Sequence, residues 1–303
     1  MILVVGGTGF IGKNLVLHLQ DLGVPVRVLS RTPDKVFLDR HAPNVQAVTL
    51  SDFWADPSAA LFGVETVIYL ASNSTPGANL DAPWREASDT VGSVMKFMTI
   101  LNERLEAHVI YLSSGGTVYG ETDLDLIPET QPVNPISPYG LGKCMAESSI
   151  DFLVRTRGLN ATILRPSNPI GRWQVSLSQG VVGALMRAAS NNTPFRMIGD
   201  GSTVRDYFDV LDLVHAIDTV RLAPETSAGK TWNVGSSQGT SVTELLALTK
   251  QISGKEINVE QLPARVGDVS KIVLDTSSIR GELGWVPQID LETCLERAWS
   301  FYA

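Results

Sequence analysis

The sequence predicts an α/β fold: a doubly wound parallel sheet of the Rossmann type with a smaller C-terminal substrate-binding lid. Three observations support this prediction. The chain begins with a buried strand, a glycine turn and a helix. Strand and helix patterns then alternate to about residue 165, which is typical of a parallel sheet. After that residue the alternation breaks, which indicates a second, smaller unit.

The first strand is the apolar run Met1–Val5, and a helical pattern follows over Phe10–Leu22. The glycines between them fit two spacings, Gly7-x-Gly9-x-x-Gly12 and Gly6-x-x-Gly9-x-x-Gly12. Such a turn lets bare backbone approach a pyrophosphate, and the N–H groups of the helix start bind the anion. A purely structural turn is the alternative, but the position between strand and helix favours a dinucleotide site.

The second predicted strand, Val24–Leu29, ends at Ser30 and Arg31. NAD sites usually carry an acidic residue here, which hydrogen-bonds the ribose 2′-hydroxyl. A hydroxyl followed by a guanidinium instead suits the extra phosphate of NADP. The sequence therefore favours NADP(H) over NAD(H), and the alternative for Arg31 is a solvated loop cation.

Three further strands are predicted over Val45–Leu50, Glu65–Leu70 and His108–Ser114, with a helix over Pro83–Leu105. Carboxyl ends of parallel strands form the ligand edge of such a sheet. The cofactor contacts predicted at these ends and in the glycine turn are Gly6, Gly9, Phe10, Ile11, Gly12, Ser30, Arg31, Asp52, Phe53, Leu70, Ala71, Ser72 and Ser113. Asp52 is expected at the adenine edge.

A proline-rich connection precedes a helix that begins at Tyr139 and carries Lys143 one turn later. Residues four apart share a helix face, so the phenol and the ammonium project side by side. A nearby cation lowers the pKa of a phenol from about 10, and such a phenol exchanges protons with a sugar hydroxyl. The alternative is an exposed pair of little energetic value.

We predict the dinucleotide-binding domain over residues 1–170 and 204–235, and the lid over 171–203 and 236–303. Helical patterns cover Val181–Ala189 and Val242–Ile252 in the lid. Ser241 or Thr240 opens the second of these helices, with Glu244 completing a capping box.

The bulk composition excludes several classes of function. A net charge of −8 argues against general binding to nucleic acids or membrane surfaces. The two cysteines and four histidines are scattered, so no metal site is expected. No apolar run reaches the length of a membrane span. Because Met1 leads directly into the first strand, we expect no signal peptide and a cytoplasmic protein.

Several motifs together resemble the extended short-chain dehydrogenase/reductases, in particular the NAD-dependent epimerase/dehydratase family, whose best-known member is UDP-glucose 4-epimerase. The resemblance spans almost the whole chain. The motifs that carry it are Gly6-Gly-Thr-Gly-Phe-Ile-Gly12, Ser113-Ser-Gly-Gly-Thr-Val-Tyr-Gly120, Ser137-Pro-Tyr-Gly-Leu-Gly-Lys143, Leu164-Arg-Pro-Ser-Asn-Pro-Ile-Gly171, Arg205-Asp-Tyr-Phe-Asp-Val210, Arg265-Val-Gly-Asp268 and Glu282-Leu-Gly-Trp285.

The resemblance implies roles for individual residues. Tyr139 would be the acid/base, and Lys143 would hold the nicotinamide ribose. Pro166 and Asn168 would line the nicotinamide side. The implied substrate contacts are Asn168, Arg205, Arg265, Ser114, Gly115 and Thr117, and the two arginines would bind the diphosphate. The family's catalytic serine or threonine falls at Gly115, which leaves Ser114 and Thr117 as the alternative hydroxyls.

The resemblance implies an enzyme that acts on a UDP-, dTDP- or GDP-sugar, as a homodimer. The leading hypothesis is a 4-epimerase that works through a 4-keto intermediate. A second is an NADPH-dependent reductase of a 4-keto-6-deoxy nucleotide sugar, which the NADP(H) preference favours. A third is an NADP(H)-binding scaffold without turnover, against which the intact Tyr139 and Lys143 argue.

Overall fold

The computed structural model describes residues 1–104, 106–174, 180–264 and 269–303. Its strands are β1 (Ile2–Val5), β2 (Val26–Ser30), β3 (Gln46–Thr49), β4 (Thr66–Tyr69), β5 (His108–Leu112), β6 (Ala161–Pro166), β7 (Asn168–Ile170), β8 (Phe195–Ile198), β9 (Val204–Asp209), β10 (Thr231–Val234), β11 (Gly239–Ser241), β12 (Val259–Leu262) and β13 (Lys271–Ile272).

The helices alternate with the strands through most of the chain. They are α1 (Phe10–Asp21), α2 (Lys35–His41), α3 (Leu50–Ala55), α4 (Pro57–Leu61), α5 (Gly92–Arg104), α6 (Gly115–Val118), α7 (Pro138–Arg157), α8 (Val181–Asn191), α9 (Val210–Leu222), α10 (Pro224–Ser227), α11 (Val242–Ser253), α12 (Ser277–Leu283) and α13 (Leu291–Tyr302). A π-helical turn, Glu86–Val91, precedes α5. In the part of the chain that the structure describes, no helix has the length and apolar character needed to span a bilayer.

Seven strands form the central sheet in the order β3-β2-β1-β4-β5-β6-β10. Every neighbouring pair is parallel. The chain winds outwards from β1 in one direction and then from β4 in the other, so the strand order reverses between these two. This is the predicted doubly wound Rossmann sheet, and the β1/β4 junction is where such sheets bind ligands.

Both faces of the sheet are buried, which explains why its strands are apolar throughout. Alternate residues of β1 point to opposite faces. Ile2 and Val4 pack with α1 and α9, whereas Leu3 and Val5 pack with α5 and α7. The sheet is therefore a layer between two sets of helices, and its ends are the places where polar side chains reach a cleft.

The C-terminal part builds two smaller sheets beside the large one. Strand β9 pairs with β7, β11 and β13, and β8 pairs with β12. Helices α8, α11 and α13 pack on a separate apolar cluster. Ile279 and Trp285, from the stretch assigned to the lid, pack instead in the first core of the large sheet. The residue limits of the two domains stay a prediction.

Candidate active site

A cavity of about 630 Å³ opens at the carboxyl ends of β1, β4, β5 and β6. This volume lies in the range of small-molecule sites. The cavity brings together residues from eight separate stretches of the sequence. The predicted site residues on its surface are Gly6, Gly9, Phe10, Ile11, Gly12, Leu70, Ser72, Ser113, Ser114, Thr117, Tyr139, Lys143, Pro166, Asn168 and Arg205.

The glycine turn is built for close backbone approach. Gly6 has φ +85°, a conformation that side-chain-bearing residues rarely adopt. A Cβ on Gly12 would lie 2.3 Å from the Gly6 carbonyl oxygen. Gly9 is the N-cap of α1, and it has no side chain to cap the first N–H groups. These groups are left for an anion, so the turn fits the pyrophosphate of a dinucleotide.

The end of β2 is tied to this turn by a hydrogen bond between the Ser30 and Thr8 hydroxyls, 3.1 Å long. Arg31 is exposed, and among the described residues it has no hydrogen-bond or ion-pair partner. Ala71 lies behind the turn, where its backbone N would be 2.9 Å from a Cβ on Gly6. Ser30, Arg31 and Ala71 are thus close to the turn without forming the cavity wall.

The two cofactor contacts predicted after β3, of which Asp52 is expected at the adenine edge, are placed differently from each other. Asp52 is exposed in the first turn of α3, where its Oδ2 accepts a hydrogen bond from Thr49 Oγ1 at 2.7 Å. The Phe53 side chain is completely buried and stacks on Phe97 in the core. Phe53 can therefore offer only its backbone to a cofactor.

Helix α7 brings Tyr139 and Lys143 to the cavity floor. Ser137 caps the helix by accepting a hydrogen bond from the Gly140 N–H at 3.1 Å, and Pro138 occupies its first position. Lys143 is 3% exposed, and its Nζ donates to the Leu112 carbonyl at 2.8 Å. The same Nζ lies 5.7 Å from the centroid of the Tyr139 ring.

The electrostatics of this pair contradict the expectation that Lys143 makes the phenol acidic. Burial raises the pKa of Tyr139 to about 12, and hydrogen bonds with the Ser114 and Ser72 hydroxyls offset this only in part. Burial also lowers the pKa of Lys143 to about 8, although Glu147 and Glu86 oppose that shift. The spacing along the helix predicts that Tyr139 and Lys143 lie side by side. It does not predict their pKa values, because the cost of burying a phenolate and an ammonium depends on the tertiary structure.

The two hydroxyls predicted as alternatives to the family serine or threonine lie at the N-cap of α6 (Ser114) and within α6 (Thr117). A Cβ on Gly115 would be 2.5 Å from Leu274 Cδ1 and 2.8 Å from the Arg165 carbonyl oxygen. No hydroxyl-bearing side chain therefore fits at this position. Ser114 and Thr117 both reach the cavity, and Ser114 is the one that hydrogen-bonds the Tyr139 phenol.

A buried polar network supports the floor from behind. Glu147, one turn after Lys143, accepts hydrogen bonds from Ser113 Oγ and from the Arg165 guanidinium, which it meets at 2.6 Å. Arg165 also donates to the Tyr119 phenol at 3.0 Å. All four side chains are less than 10% exposed. The network fixes α7 against β5 and β6, the strands whose ends form the site.

The side of the cavity on which substrate contacts are predicted is formed by β7 and β9. Asn168 Nδ2 donates to the Asp206 carbonyl at 3.1 Å, and half-buried Arg205 lies nearby on the cavity surface. Asp206 itself is buried, where it accepts hydrogen bonds from Ser236, Ser237 and Leu274. Arg265 and Asp268 lie outside the described residues.

Several cavity residues were not among the predicted site residues. Tyr207 lines the wall two residues after Arg205, within the motif Arg205–Val210. On a strand this spacing places both side chains on the same face, which is a signal that would have identified Tyr207. Ser74, Thr75 and Pro76 also form wall, but they lie on a loop whose course the sequence does not indicate.

Comparison with known proteins identifies relatives over the full length of the chain. A protein of Methanocaldococcus jannaschii named putative UDP-glucose 4-epimerase is 31% identical, over 98% of this chain and 96% of its own. The UDP-glucose 4-epimerase of Thermotoga maritima, solved with UDP-glucose, is also 31% identical. It superposes with a TM-score of 0.91, covering 99% of this chain and 98% of its own.

A UDP-glucose 4-epimerase of Thermus thermophilus, solved with NAD, has the same fold, with a TM-score of 0.90 and 24% identity. That alignment covers 99% of this chain and 98% of the other. Residues 2–235, which contain the glycine turn, Tyr139 and Lys143, match the family described as NAD dependent epimerase/dehydratase. The chain belongs to the NAD-dependent epimerase/dehydratase family.

Proposed function

We propose that the protein is a nucleotide-sugar 4-epimerase that works through a 4-keto intermediate, with Tyr139 as acid/base. The observation that carries the proposal is that Tyr139 and Lys143 lie on the floor of the same cavity as the glycine turn. The Thermotoga maritima relative, which was solved with UDP-glucose, supports a UDP-sugar as substrate. The sequence and the cavity leave dTDP- and GDP-sugars as alternatives.

The residues divide the chemistry between them. A nicotinamide cofactor bound at the glycine turn would supply a reversible hydride acceptor. Tyr139 removes the proton from the sugar C4 hydroxyl as the ketone forms, and it returns a proton when the ketone is reduced from the other face. Ser114, hydrogen-bonded to the phenol, orients the sugar oxygen, with Thr117 as the neighbouring hydroxyl.

Lys143 contributes charge and orientation. Its ammonium is held by the Leu112 carbonyl, 5.7 Å from the centroid of the Tyr139 ring, where it would hold the nicotinamide ribose. On the substrate side, Arg205 and Arg265 bind the diphosphate, because forked guanidinium groups match phosphate oxygens. Asn168, fixed by its bond to Asp206, contacts the sugar, and Pro166 packs against the nicotinamide.

For the cofactor we propose NADP(H) in preference to NAD(H), although the Thermus thermophilus relative was solved with NAD. Ser30 is the last residue of β2 and exposed Arg31 follows it, at the place where an acidic residue would repel the additional phosphate. Arg31→Ala is expected to weaken NADP⁺ binding roughly tenfold, equivalent to about 1.4 kcal/mol, and to leave NAD⁺ binding unchanged. Calorimetric titration measures both, with Arg40→Ala as the control for loss of an exposed cation. Equal losses for the two cofactors would refute the preference.

The NADP(H) preference that Ser30 and Arg31 indicate also favours one alternative, an NADPH-dependent reductase of a 4-keto-6-deoxy nucleotide sugar. Epimerisation regenerates the cofactor in each turnover, whereas a reductase consumes one NADPH for each product. A scaffold that binds NADP(H) without turnover is a third possibility, and the placement of Tyr139 beside Ser114 argues against it.

One assay separates the three functions. The pure protein is incubated with UDP-glucose, UDP-N-acetylglucosamine or a 4-keto-6-deoxy nucleotide sugar, with and without NADPH. Epimer formation without net change in nicotinamide absorbance supports the epimerase, and stoichiometric loss of NADPH supports the reductase. Tyr139→Phe should lower either activity by at least about a hundredfold. Tight cofactor binding without any product would support the third function, a scaffold that binds NADP(H) without turnover.

We also propose that the protein is a homodimer formed through α5 and α7. Leu141 and Phe152 on α7 are 43% and 45% exposed, although both are large and apolar. Light scattering coupled to size exclusion tests this, and Phe152→Glu should shift the population towards the monomer. A wild-type protein that is monomeric at micromolar concentration would refute the proposal.

A further inference from the structure

Glu86 is a carboxylate with an unusual environment behind the candidate active site. It lies in the π-helical turn, is 1% exposed and does not line the cavity. Three side chains hydrogen-bond it: Ser74 Oγ at 2.8 Å, Asn79 Nδ2 at 2.7 Å and Thr90 Oγ1 at 2.9 Å. All three donate to it, which is the arrangement that an ionised carboxylate requires.

The carboxylate packs against the helix that carries Tyr139 and Lys143. A Cβ on Gly142 would lie 2.6 Å from Glu86 Oε2. Any residue larger than glycine there would displace the carboxylate from its three donors. Gly142 directly precedes Lys143, so the absence of a side chain at this point lets Glu86 approach the charged part of α7.

The charges around Lys143 show what Glu86 adds. Glu147 also faces Lys143 from α7, but the Arg165 guanidinium on β6 pairs with it at 2.6 Å. Tyr111 on β5 has its ring 5.0 Å from Lys143 Nζ, and burial keeps this phenol neutral by raising its pKa. Within the described residues, no lysine or arginine hydrogen-bonds or pairs with Glu86. Glu86 raises the pKa of Lys143, after the larger contribution of Glu147.

Glu86 also connects the active site to its wall. Ser74 donates to Glu86, while the Ser74 carbonyl accepts a hydrogen bond from Ser72 Oγ at 2.8 Å. Ser72 in turn hydrogen-bonds Tyr139. Ser72 and Ser74 both line the cavity. A short chain of hydrogen bonds thus runs from the buried carboxylate to the phenol.

We propose that Glu86 is a positioning residue: beside Glu147, its carboxylate supplies negative charge that stabilises the Lys143 ammonium, and it anchors the cavity wall of residues 72–79 to the turn beside α7. The proposal rests on the proposed function insofar as Tyr139 and Lys143 are catalytic. Without the negative charge, the buried ammonium would lose its proton more readily. Glu86 consequently extends the pH range over which Lys143 stays charged towards higher pH.

The test measures Lys143 directly and requires no turnover. Carbon-13 NMR of lysine-labelled protein follows the Lys143 side chain through a pH titration, and the Lys143→Arg spectrum assigns its resonance. The wild-type Lys143 pKa is about 8, so the titration runs from neutral to moderately alkaline pH. Glu86→Gln keeps most of the volume and removes the charge, so the Lys143 pKa should fall by roughly one unit.

Three further variants separate charge from structure. Ser74→Ala removes a tie to the wall and keeps the charge, so the Lys143 pKa should stay at its wild-type value. Asp212→Asn removes another buried carboxylate, on the opposite face of the sheet, and should also leave Lys143 unchanged. If Glu86→Gln does not fold, Gly142→Ala displaces the carboxylate and should lower the Lys143 pKa by a smaller amount.

The proposal would be overturned if the Lys143 pKa were unchanged in folded Glu86→Gln. If Glu86→Gln does not fold, an unchanged Lys143 pKa in folded Gly142→Ala would overturn it instead. An equal shift of the Lys143 pKa in Asp212→Asn would also overturn it. Because the titration is independent of substrate, a protein inactive on every nucleotide sugar would refute the proposed function without affecting this result. In active protein, Ser74→Ala should raise KM at least threefold with little change in kcat. If the KM of Ser74→Ala equalled that of the wild type, the part of the proposal in which Glu86 anchors the cavity wall would be refuted.

Discussion

The Gly12→Ala substitution gives a direct test of the glycine turn. The added methyl carbon would lie 2.3 Å from the Gly6 carbonyl oxygen and 2.6 Å from Gly7 Cα. Both contacts are with backbone, which cannot rotate away as a side chain would. Carbon contacts normally lie at about 3.5 Å or more, so the start of α1 and the turn must separate by roughly 1 Å.

This displacement should affect cofactor binding more than folding. A misplacement of about 1 Å in a binding constellation can cost on the order of a hundredfold, so the Kd for NADP⁺ should rise by about that factor, or ~2.7 kcal/mol. Overpacking should lower the free energy of unfolding by about 1–3 kcal/mol. Calorimetric titration measures the first quantity and urea denaturation the second.

Two other glycines serve as matched controls. A Cβ on Gly9 would meet only the Gly6 carbonyl, at 3.3 Å, and a Cβ on Gly77 would meet nothing within 4 Å. The expected order of cofactor affinity is therefore Gly77→Ala equal to wild type, Gly9→Ala weaker, and Gly12→Ala weakest. If folded Gly12→Ala bound NADP⁺ within threefold of wild type, the close-approach argument would be refuted.

The remaining predictions concern stability. Burial lowers the pKa of His108 to about 4, whereas an unfolded histidine titrates near 6.5. The contribution of neutral, buried His108 to the free energy of unfolding is therefore complete above pH 6.5. It is lost as the pH falls towards 4, by up to about 3 kcal/mol. Urea denaturation between pH 7 and 4.5 should show this loss, and His108→Asn should reduce it. If the free energy of unfolding fell equally with pH in the wild type and in His108→Asn, the assignment to His108 would be contradicted. Ser241→Ala breaks the capping box with Glu244 and should cost about 1 kcal/mol of unfolding free energy, with Ser190→Ala as a surface control. Glu147→Gln leaves Arg165 buried without its partner and should lower the free energy of unfolding by about 3–5 kcal/mol. A double variant that also carries Arg165→Met should recover part of that loss. If the losses of the two single variants simply added in the double variant, the two residues would not act as a pair.

The sequence reveals the parts of the site that are local. The strand–turn–helix at Gly6 to Gly12, the Ser-Ser end of β5 and the spacing of Tyr139 and Lys143 each lie within a few residues. Their order along the chain also predicts the parallel sheet correctly. The helix expected over Pro83–Leu105 is interrupted, because its first part is a π-helical turn and regular α-helix begins only at Gly92.

What the sequence does not reveal depends on contacts between distant segments. The pKa of Tyr139 is set by burial among residues from four strand ends, so a rule about neighbours on one helix gives the wrong sign. Glu86 looks like an ordinary polar residue until its contact with Gly142, 56 positions later, is known. The small sheet around β9 likewise escapes notice, because its partners are short and scattered.

Strands β6 and β7 are separated by a single residue, Ser167, yet they belong to different sheets. The Ser167 N–H is anchored to Val234 in the large sheet, and Asn168 pairs with Tyr207 in the small one. The two sheets are consequently joined here by a residue that lines the cavity. A change that loosens either sheet at Ser167 should therefore alter the distance between Asn168, on the small sheet, and Tyr139, on the helix that packs against the large one.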